Sequence, residues 1–221
     1  MRLDVKLFKI EKNDEKLTVT ILGIKITKKC RTKQNAEQIK KAWKSAEKVN
    51  FNNFKNCEIV KILDKSCVCI DCGANIGKIS ELFAKCGASV YAFEPNPLCF
   101  DALEKIVKKY PNINLIKKGV CNKNCTLKMY HNDLTNYDSE FFSQSSSICA
   151  TKDNINTQNY TEIECIDLCE FIENLNKPID ILKMDIEGAE FDILEKMINK
   201  GLYKNIKHIL VETHDATIPE I

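Results

Sequence analysis

The chain has 221 residues, with 33 basic and 31 acidic side chains and a formal net charge of +2. This length suits one substantial α/β core. The near balance of charge gives no basic footprint for nucleic acid or for an anionic membrane surface. The N-terminus alternates charges without an apolar segment, and no apolar run approaches the length of a membrane span, so we predict a cytoplasmic protein.

Twelve cysteines are many for a chain of this kind. Without a secretion signal they are expected to be reduced thiols that pack as small hydrophobic side chains. Cys67, Cys69 and Cys72 surround one predicted strand, and their spacing is not that of paired zinc knuckles. A structural zinc site is therefore disfavoured.

The N-terminal part of the chain is β-prone and then helical. Residues 4–28 contain two β-prone runs, VKLFKI and LTVTILGIKIT, on either side of a polar turn, which is a hairpin signal. Residues 33–49 carry apolar side chains at steps of three and four, the pattern of an amphipathic helix. We predict a hairpin-plus-helix extension over residues 1–55 and a second, larger domain over residues 56–221.

Strand and helix patterns alternate through the rest of the chain. Asn96 is predicted to cap a helix that has Pro97 in its first turn, and Gly87 and Gly201 are predicted to end helices. A polar segment over residues 131–160 is interpreted as a long functional loop. The alternation predicts an α/β protein with a doubly wound, mostly parallel sheet. The predicted strands read CVCID, SVYAFE, INLIKKG, TLKMY, EIECI, IDILKMD and HILVETH.

The segment IDCGANIGKIS, which begins at Ile70, reads as a strand end, a glycine turn and the start of a helix. It is not a phosphate loop, because three residues rather than four separate Gly73 from Gly77 and no Ser or Thr follows the lysine. It also lacks the dinucleotide fingerprint, because Asn75 occupies the place of the second glycine. Asp71 at the mouth of the turn is expected to repel phosphate and to favour a ligand with positive charge or hydroxyl donors.

The next predicted strand ends in FEPN. Glu94 lies about 20 residues after the glycine turn, the spacing from which an acid binds two ribose hydroxyls. An adenosine with a free ribose and a cationic tail meets both requirements, and S-adenosylmethionine is such a ligand. A nicotinamide-dependent sugar-modifying enzyme is the alternative, against which the missing glycine and Asp71 count.

Four motifs, DCGANIG, FEPNP, DILKMDIEGAE and VETH, follow one another over about residues 65–215. In order and spacing they resemble the FkbM family of S-adenosylmethionine-dependent methyltransferases. The resemblance implies a Rossmann-like class I methyltransferase fold and O-methylation of a sugar or nucleotide-activated sugar. Together with the segment ILGIKIT it implies a role in bacterial capsule or other surface-polysaccharide biosynthesis. A non-catalytic S-adenosylmethionine-binding protein is a further alternative. The predicted cofactor-binding residues are Asp71, Gly73, Asn75, Gly77, Glu94, Pro95, Gly119 and Val120, the last two by resemblance alone.

The KMDIEGAE motif contains two of the predicted catalytic residues. Asp185 should end the strand beside the first one, and Glu187 follows on the turn. Glu212 and His214, two apart on the last strand, should share a face. His214 is predicted as the general base because its pKa suits neutral pH, with Asp185 or Glu187 orienting it or sharing the role.

A second interpretation uses these residues to hold a metal ion. Asp185, Glu212 and His214 could bind Mg²⁺ or Mn²⁺, with sugar hydroxyls completing the coordination. In the polar segment, Ser146 and Ser147 are predicted to bind the sugar or the cofactor carboxylate, with an ordinary surface loop as the alternative.

The resemblance also implies two further strands after the last predicted one. Only seven residues follow VETH, so nothing remains to build them. Three arrangements are open: a truncated chain, an N-terminal hairpin that covers the sheet edge, or pairing of that edge in a homodimer.

Overall fold

A computed structural model of the chain describes residues 8–13, 16–21, 24–28, 51–52, 54–132, 146, 148 and 155–212. The helix predicted over residues 33–49 lies outside this set, as do Ser147 and His214. Among the described residues, no helix is both long and apolar enough to cross a membrane.

The N-terminal strands form a three-stranded antiparallel sheet rather than a hairpin of two. The run LTVTILGIKIT divides into two strands, with Ile21 paired to Ile24. An unbroken strand of that length would be longer than most, and folding back pairs its backbone with itself. The strands are β1 (Phe8–Asn13), β2 (Lys16–Ile21) and β3 (Ile24–Lys28).

Five parallel strands form the central sheet, in the order β11-β10-β4-β5-β6. This confirms the predicted α/β, mostly parallel fold. Every residue of β4 is buried, as expected for a central strand covered on both faces. The strands are β4 (Val68–Cys72), β5 (Ser89–Phe93), β6 (Ile113–Ile116), β10 (Ile179–Met184) and β11 (Ile206–Val211).

Helices connect and cover these strands. Asn96 accepts a hydrogen bond from the backbone N–H of Leu98 and caps its helix as predicted, with Pro97 in the first position. Gly201 adopts a left-handed conformation at the end of another helix, also as predicted. The helices are α1 (Glu58–Lys61), α2 (Lys78–Lys85), α3 (Pro97–Lys109), α4 (Leu168–Leu175), α5 (Glu190–Lys200) and a 3-10 helix (Leu202–Asn205).

A second three-stranded sheet has the order β7-β9-β8. It comprises β7 (Gly119–Cys121), β8 (Cys125–Asn132) and β9 (Ile155–Asp167). The prediction of a loop over residues 131–160 was therefore wrong at both ends, where β8 and β9 extend into it. The sequence did not predict these strand ends because they are rich in polar residues with low β-propensity, although β8 and β9 pair there.

Candidate functional site

The carboxyl ends of β4, β5 and β10 meet at one edge of the central sheet. The turn after β4 is tied to β5, because the backbone N–H groups of Gly73 and Ala74 donate to the carbonyl of Phe93 at 3.0 and 2.9 Å. Gly73 has a φ of +74°, and a Cβ there would lie 1.9 Å from the carbonyl oxygen of Asp185. Glycine is therefore required by the close approach of the backbone after β10.

Gly77, which was predicted to bind the cofactor, packs between two helices in the structure. It is buried at the start of α2, and a Cβ there would meet Leu103 and Ile106 of α3 at 2.6 and 2.9 Å. It does not line the cleft described below. The second glycine of the motif thus permits contact between helices, whereas Asn75, with a φ of +54°, remains on the cleft wall.

Asp71 is fully buried under the glycine turn. Its Oδ2 accepts a hydrogen bond of 2.6 Å from the Ser80 hydroxyl, and its Oδ1 lies 3.3 Å from the Nζ of Lys183 on β10. Asp71 was predicted to present a negative charge to the ligand, but the structure buries its carboxylate beside the Lys183 ammonium and does not place it among the residues that line the cleft.

Lys183 connects the glycine turn with the turn after β10. Its ammonium donates to the carbonyls of Cys72 and Gly73 at 3.3 and 2.8 Å, and it lies 3.8 Å from Asp185. Burial lowers the pKa of Lys183, but the carboxylates of Asp71 and Asp185 outweigh this effect, so the net pKa is raised and the side chain stays charged.

Glu94 lies at the tip of β5, is buried and is one of the residues that line the cleft. Its two oxygens accept hydrogen bonds of 2.7 Å from the backbone N–H groups of Asn75 and Asn96. Burial raises the pKa of Glu94 to about 7, although both backbone donors lower it. Each oxygen keeps a second lone pair, so the carboxylate can still accept a hydroxyl.

A second buried glutamate organises the turn between β10 and α5. Glu190 in the first turn of α5 accepts hydrogen bonds of 3.0 Å from the backbone N–H groups of Ile186 and Gly188. Glu187, between these two, has a φ of +60°. A non-glycine residue is rarely left-handed, and the Glu190 carboxylate offsets part of its cost.

These turns border an open cleft at the carboxyl edge of the sheet. Of the predicted site residues that the structure describes, nine line it, whereas Asp71, Gly77 and Glu212 do not. The nine are Gly73, Asn75, Glu94, Pro95, Gly119, Val120, Asp185, Glu187 and Ser146.

The predicted metal set is only partly described. Asp185 lines the cleft, and the backbone N–H of Glu212 donates to the Met184 carbonyl at 2.9 Å at the end of β11. In the described ranges, no three His, Cys, Asp or Glu side chains are grouped so that they could hold a metal ion. His214 lies outside those ranges, so its role as a base or ligand stays a prediction.

Three residues of this region were not predicted from the sequence: Lys183, which is partly buried, and Glu190 and His131, which are buried. His131 on β8 bonds the hydroxyls of Ser146 and Thr161 at 2.9 and 2.8 Å. Lys183 and Glu190 belong to the DILKMDIEGAE motif, so the signal was present. Their burial depends on strand register, which the letters do not reveal.

The fold defines the class of protein: a Rossmann-like α/β protein with a cleft after β4, β5 and β10 at the carboxyl edge of the sheet. Residues 71–221 match the model of the Methyltransferase FkbM domain family. The chain belongs to this methyltransferase family.

Two kinds of relatives were found. Over 153 residues the chain is 27% identical to the hexuronic acid methyltransferase AglP of Haloferax volcanii, covering 68% of this chain and 57% of that protein. An rRNA methylase from Streptococcus thermophilus is 14% identical with a TM-score of 0.34, covering 64% of this chain and 58% of the other.

Proposed function

We propose that the protein is an S-adenosylmethionine-dependent O-methyltransferase that acts on a hydroxyl of a sugar or nucleotide-activated sugar in surface-polysaccharide biosynthesis. One observation carries the proposal: Glu94, Asp185 and Glu187 line a single cleft at the carboxyl edge of the sheet. The relative that methylates hexuronic acid supports a sugar as the acceptor. The cytoplasmic location and a homodimer remain part of this proposal.

The residues of the cleft fit the cofactor at two points. The Glu94 carboxylate is held by two backbone donors with lone pairs left for the two ribose hydroxyls. Asn75 and Gly73 form the adjoining wall for the amino-acid end. When bound, S-adenosylmethionine supplies a methyl group made electrophilic by its sulfonium. The chain's own task is to align the acceptor hydroxyl with that methyl group and to remove its proton.

We assign the acceptor side to Asp185 and Glu187. Carboxylates accept hydrogen bonds from sugar hydroxyls, which orients the oxygen that attacks. Asp185 is 34% exposed at its side chain and lies 3.8 Å from the Lys183 ammonium. Either carboxylate could accept the proton that the hydroxyl loses on methylation, with His214 as a further candidate base.

The N-terminus of α2 counts against the alternative of a nicotinamide-dependent enzyme. A pyrophosphate would need the N-terminus of that helix, but Gly77 at this point is buried against Leu103 and Ile106. The family match also favours methyl transfer. A non-catalytic cofactor-binding protein uses the same cleft and is separated by experiment.

The test is a calorimetric titration with S-adenosylhomocysteine and with NAD, followed by methyl transfer into a panel of nucleotide-activated sugars that includes hexuronic acids. We expect binding of S-adenosylhomocysteine, no binding of NAD, and methylation of at least one sugar. Failure to bind S-adenosylhomocysteine would overturn the proposal. Binding without transfer to any member of the panel would favour the non-catalytic alternative.

The raised pKa of Glu94 predicts a pH dependence of cofactor binding. Accepting ribose hydroxyls requires the ionised form, so the Kd for S-adenosylhomocysteine should rise by about tenfold for each pH unit below about pH 7. The pH dependence of the stability of the unliganded fold has the opposite direction. Because folding raises the pKa of Glu94, the protonated carboxyl group stabilises the fold at low pH, and this stabilisation is lost as the pH rises through about 7. Isothermal titration at several pH values measures the first effect.

Two variants test whether Glu94 is the carboxylate that causes this pH dependence. Glu94→Gln should bind weakly with a flat pH profile, because the titrating group is gone. Glu195→Gln, at an exposed position on α5, should keep the profile of the wild type. An unchanged profile in Glu94→Gln would contradict the assignment.

A further inference from the structure

The side of the cleft formed by β7, β8 and β9 differs from the carboxylate side. Its described side chains include Val120, Met129, Ile163 and Cys165, all buried and apolar. Ser146 brings a hydroxyl to this wall, with 8% of the residue exposed. An apolar wall with a polar group at its rim suits a flat heteroaromatic ring whose edge carries hydrogen-bonding groups.

The Ser146 hydroxyl is the end of a buried hydrogen-bonded chain. Its Oγ lies 2.9 Å from Nδ1 of His131, and Nε2 of the same ring lies 2.8 Å from Oγ1 of Thr161. His131 is 5% exposed and lies at a bulge, where the pairing of β8 with β9 shifts after Tyr130. A bulge re-aims a side chain, and here it directs the imidazole between two hydroxyls.

The imidazole is neutral, because burial lowers the pKa of His131. A neutral ring has one donor and one acceptor nitrogen, so the chain can run in either direction. When Nε2 donates to Thr161, Nδ1 accepts from Ser146 and the serine oxygen faces the cleft as an acceptor. When Thr161 donates to Nε2, the serine hydroxyl faces the cleft as a donor.

The position of this hydrogen-bonded chain of side chains along the cleft indicates which part of the ligand it contacts. β7 begins at Gly119, where a Cβ would lie 3.7 Å from Pro95 beside Glu94, and it leads to Asn122, which bonds Asp192 on α5. Gly119 pairs with Cys165. Thr161 is four residues further back along β9, about 13 Å from Cys165 on the side away from α5.

Ser146 and His131 therefore lie beyond Glu94, on the side opposite the turn of Asp185 and Glu187. With the ribose on Glu94, as in the proposed function on which this step rests, the base of the cofactor extends toward Ser146. We propose that Ser146, held by His131 and Thr161, is the specificity-determining group that hydrogen-bonds the 6-amino edge of the adenine ring.

The test measures selectivity for the base. Wild-type protein is titrated with S-adenosylhomocysteine and with the analogue whose 6-amino group is replaced by hydrogen. We expect roughly tenfold weaker binding of the analogue, because it removes the hydrogen bond between the ligand and the buried Ser146 hydroxyl. In Ser146→Ala the two ligands should bind with nearly equal Kd.

A second pair of variants tests whether the hydrogen bonds of His131 and Thr161 position the serine hydroxyl. Thr161→Val does not alter Ser146 but frees His131 to rotate, and it should reduce the selectivity ratio by severalfold. Thr126→Val on the exposed face of β8 is the matched control and should keep the ratio of the wild type. A structural role alone would change stability in Thr161→Val without changing the ratio.

The outcomes separate this inference from the proposed function. Tight binding of both ligands by the wild type with no discrimination would overturn the inference and leave the proposed function standing. The same holds if Ser146→Ala raises the KM for the sugar while the base selectivity stays intact. No binding of either ligand would overturn both.

Discussion

Replacing Lys183 with methionine is expected to destabilise the fold by about 3–5 kcal/mol, the usual cost of leaving a buried charge without its partner. Asp71 is 0% exposed, and the Lys183 ammonium lies 3.3 Å from its Oδ1. Methionine keeps most of the volume of the side chain but removes the charge and the hydrogen bonds to the carbonyls of Cys72 and Gly73. Urea unfolding followed by circular dichroism measures the change.

Two comparisons show whether the charge is responsible. Lys207→Met removes an exposed ion pair with Asp180, at 3.2 Å on the neighbouring strand, and should cost about 0–1 kcal/mol. Adding Asp71→Asn to Lys183→Met should recover much of the lost stability, because neither buried charge remains. Equal losses in the two lysine variants, or no recovery in the double variant, would contradict this account.

Replacing Gly73 with alanine is expected to separate the ends of β4 and β10 and to abolish binding of S-adenosylhomocysteine. The new Cβ would lie 1.9 Å from the Asp185 carbonyl oxygen and 3.0 Å from its carbon, and these are backbone atoms that cannot rotate away. The hydrogen bond from the Asp185 N–H to the Cys72 carbonyl, at 3.1 Å, should lengthen or break.

Gly201 is a matched control for backbone strain. Its φ of +71° is close to the +74° of Gly73, and nothing lies within 4 Å of a Cβ there. Gly201→Ala should therefore report the cost of the left-handed conformation alone, about 1 kcal/mol. We expect Gly73→Ala to lose roughly 1–3 kcal/mol more in thermal unfolding, the cost of overpacking. Equal losses would show that the close approach to Asp185 is unimportant.

The sequence was sufficient for the central sheet and for most of the cleft. Apolar runs alternated with amphipathic helices, and the capping residues Asn96, Pro97 and Gly201 marked helix ends correctly. Because parallel strands present their carboxyl ends at one edge, the motifs after β4, β5 and β10 could be brought together without coordinates.

Register could not be predicted in the same way. Lys183 compensates Asp71 because the two residues are partners across β10 and β4. A shift of one residue would have turned the lysine to the other face of the sheet. Without that register, Asp71 looked like a charge offered to the ligand, and the inferred preference for a cationic ligand rested on it.

The second sheet was harder to predict for another reason. β9 continues through polar residues from Ile155, and its partner β8 carries the bulge at Tyr130 and His131. Periodicity fails where side chains are partly exposed and where a bulge shifts the alternation. The chain of Ser146, His131 and Thr161 forms across this irregularity, between residues up to 30 positions apart.

The reactivity of the native cysteine thiols can be used to measure local and global unfolding of the protein. Ten cysteines in the described ranges are free, and Cys69 and Cys72 on the central strand are 0% exposed, with pKa values raised by burial. A neutral, inaccessible thiol does not react with alkylating reagents. Cys57, Cys86 and Cys125 are only partly buried and should be labelled first. Mass-resolved labelling rates would then distinguish fraying of the periphery from cooperative unfolding of the sheet, without any introduced probe.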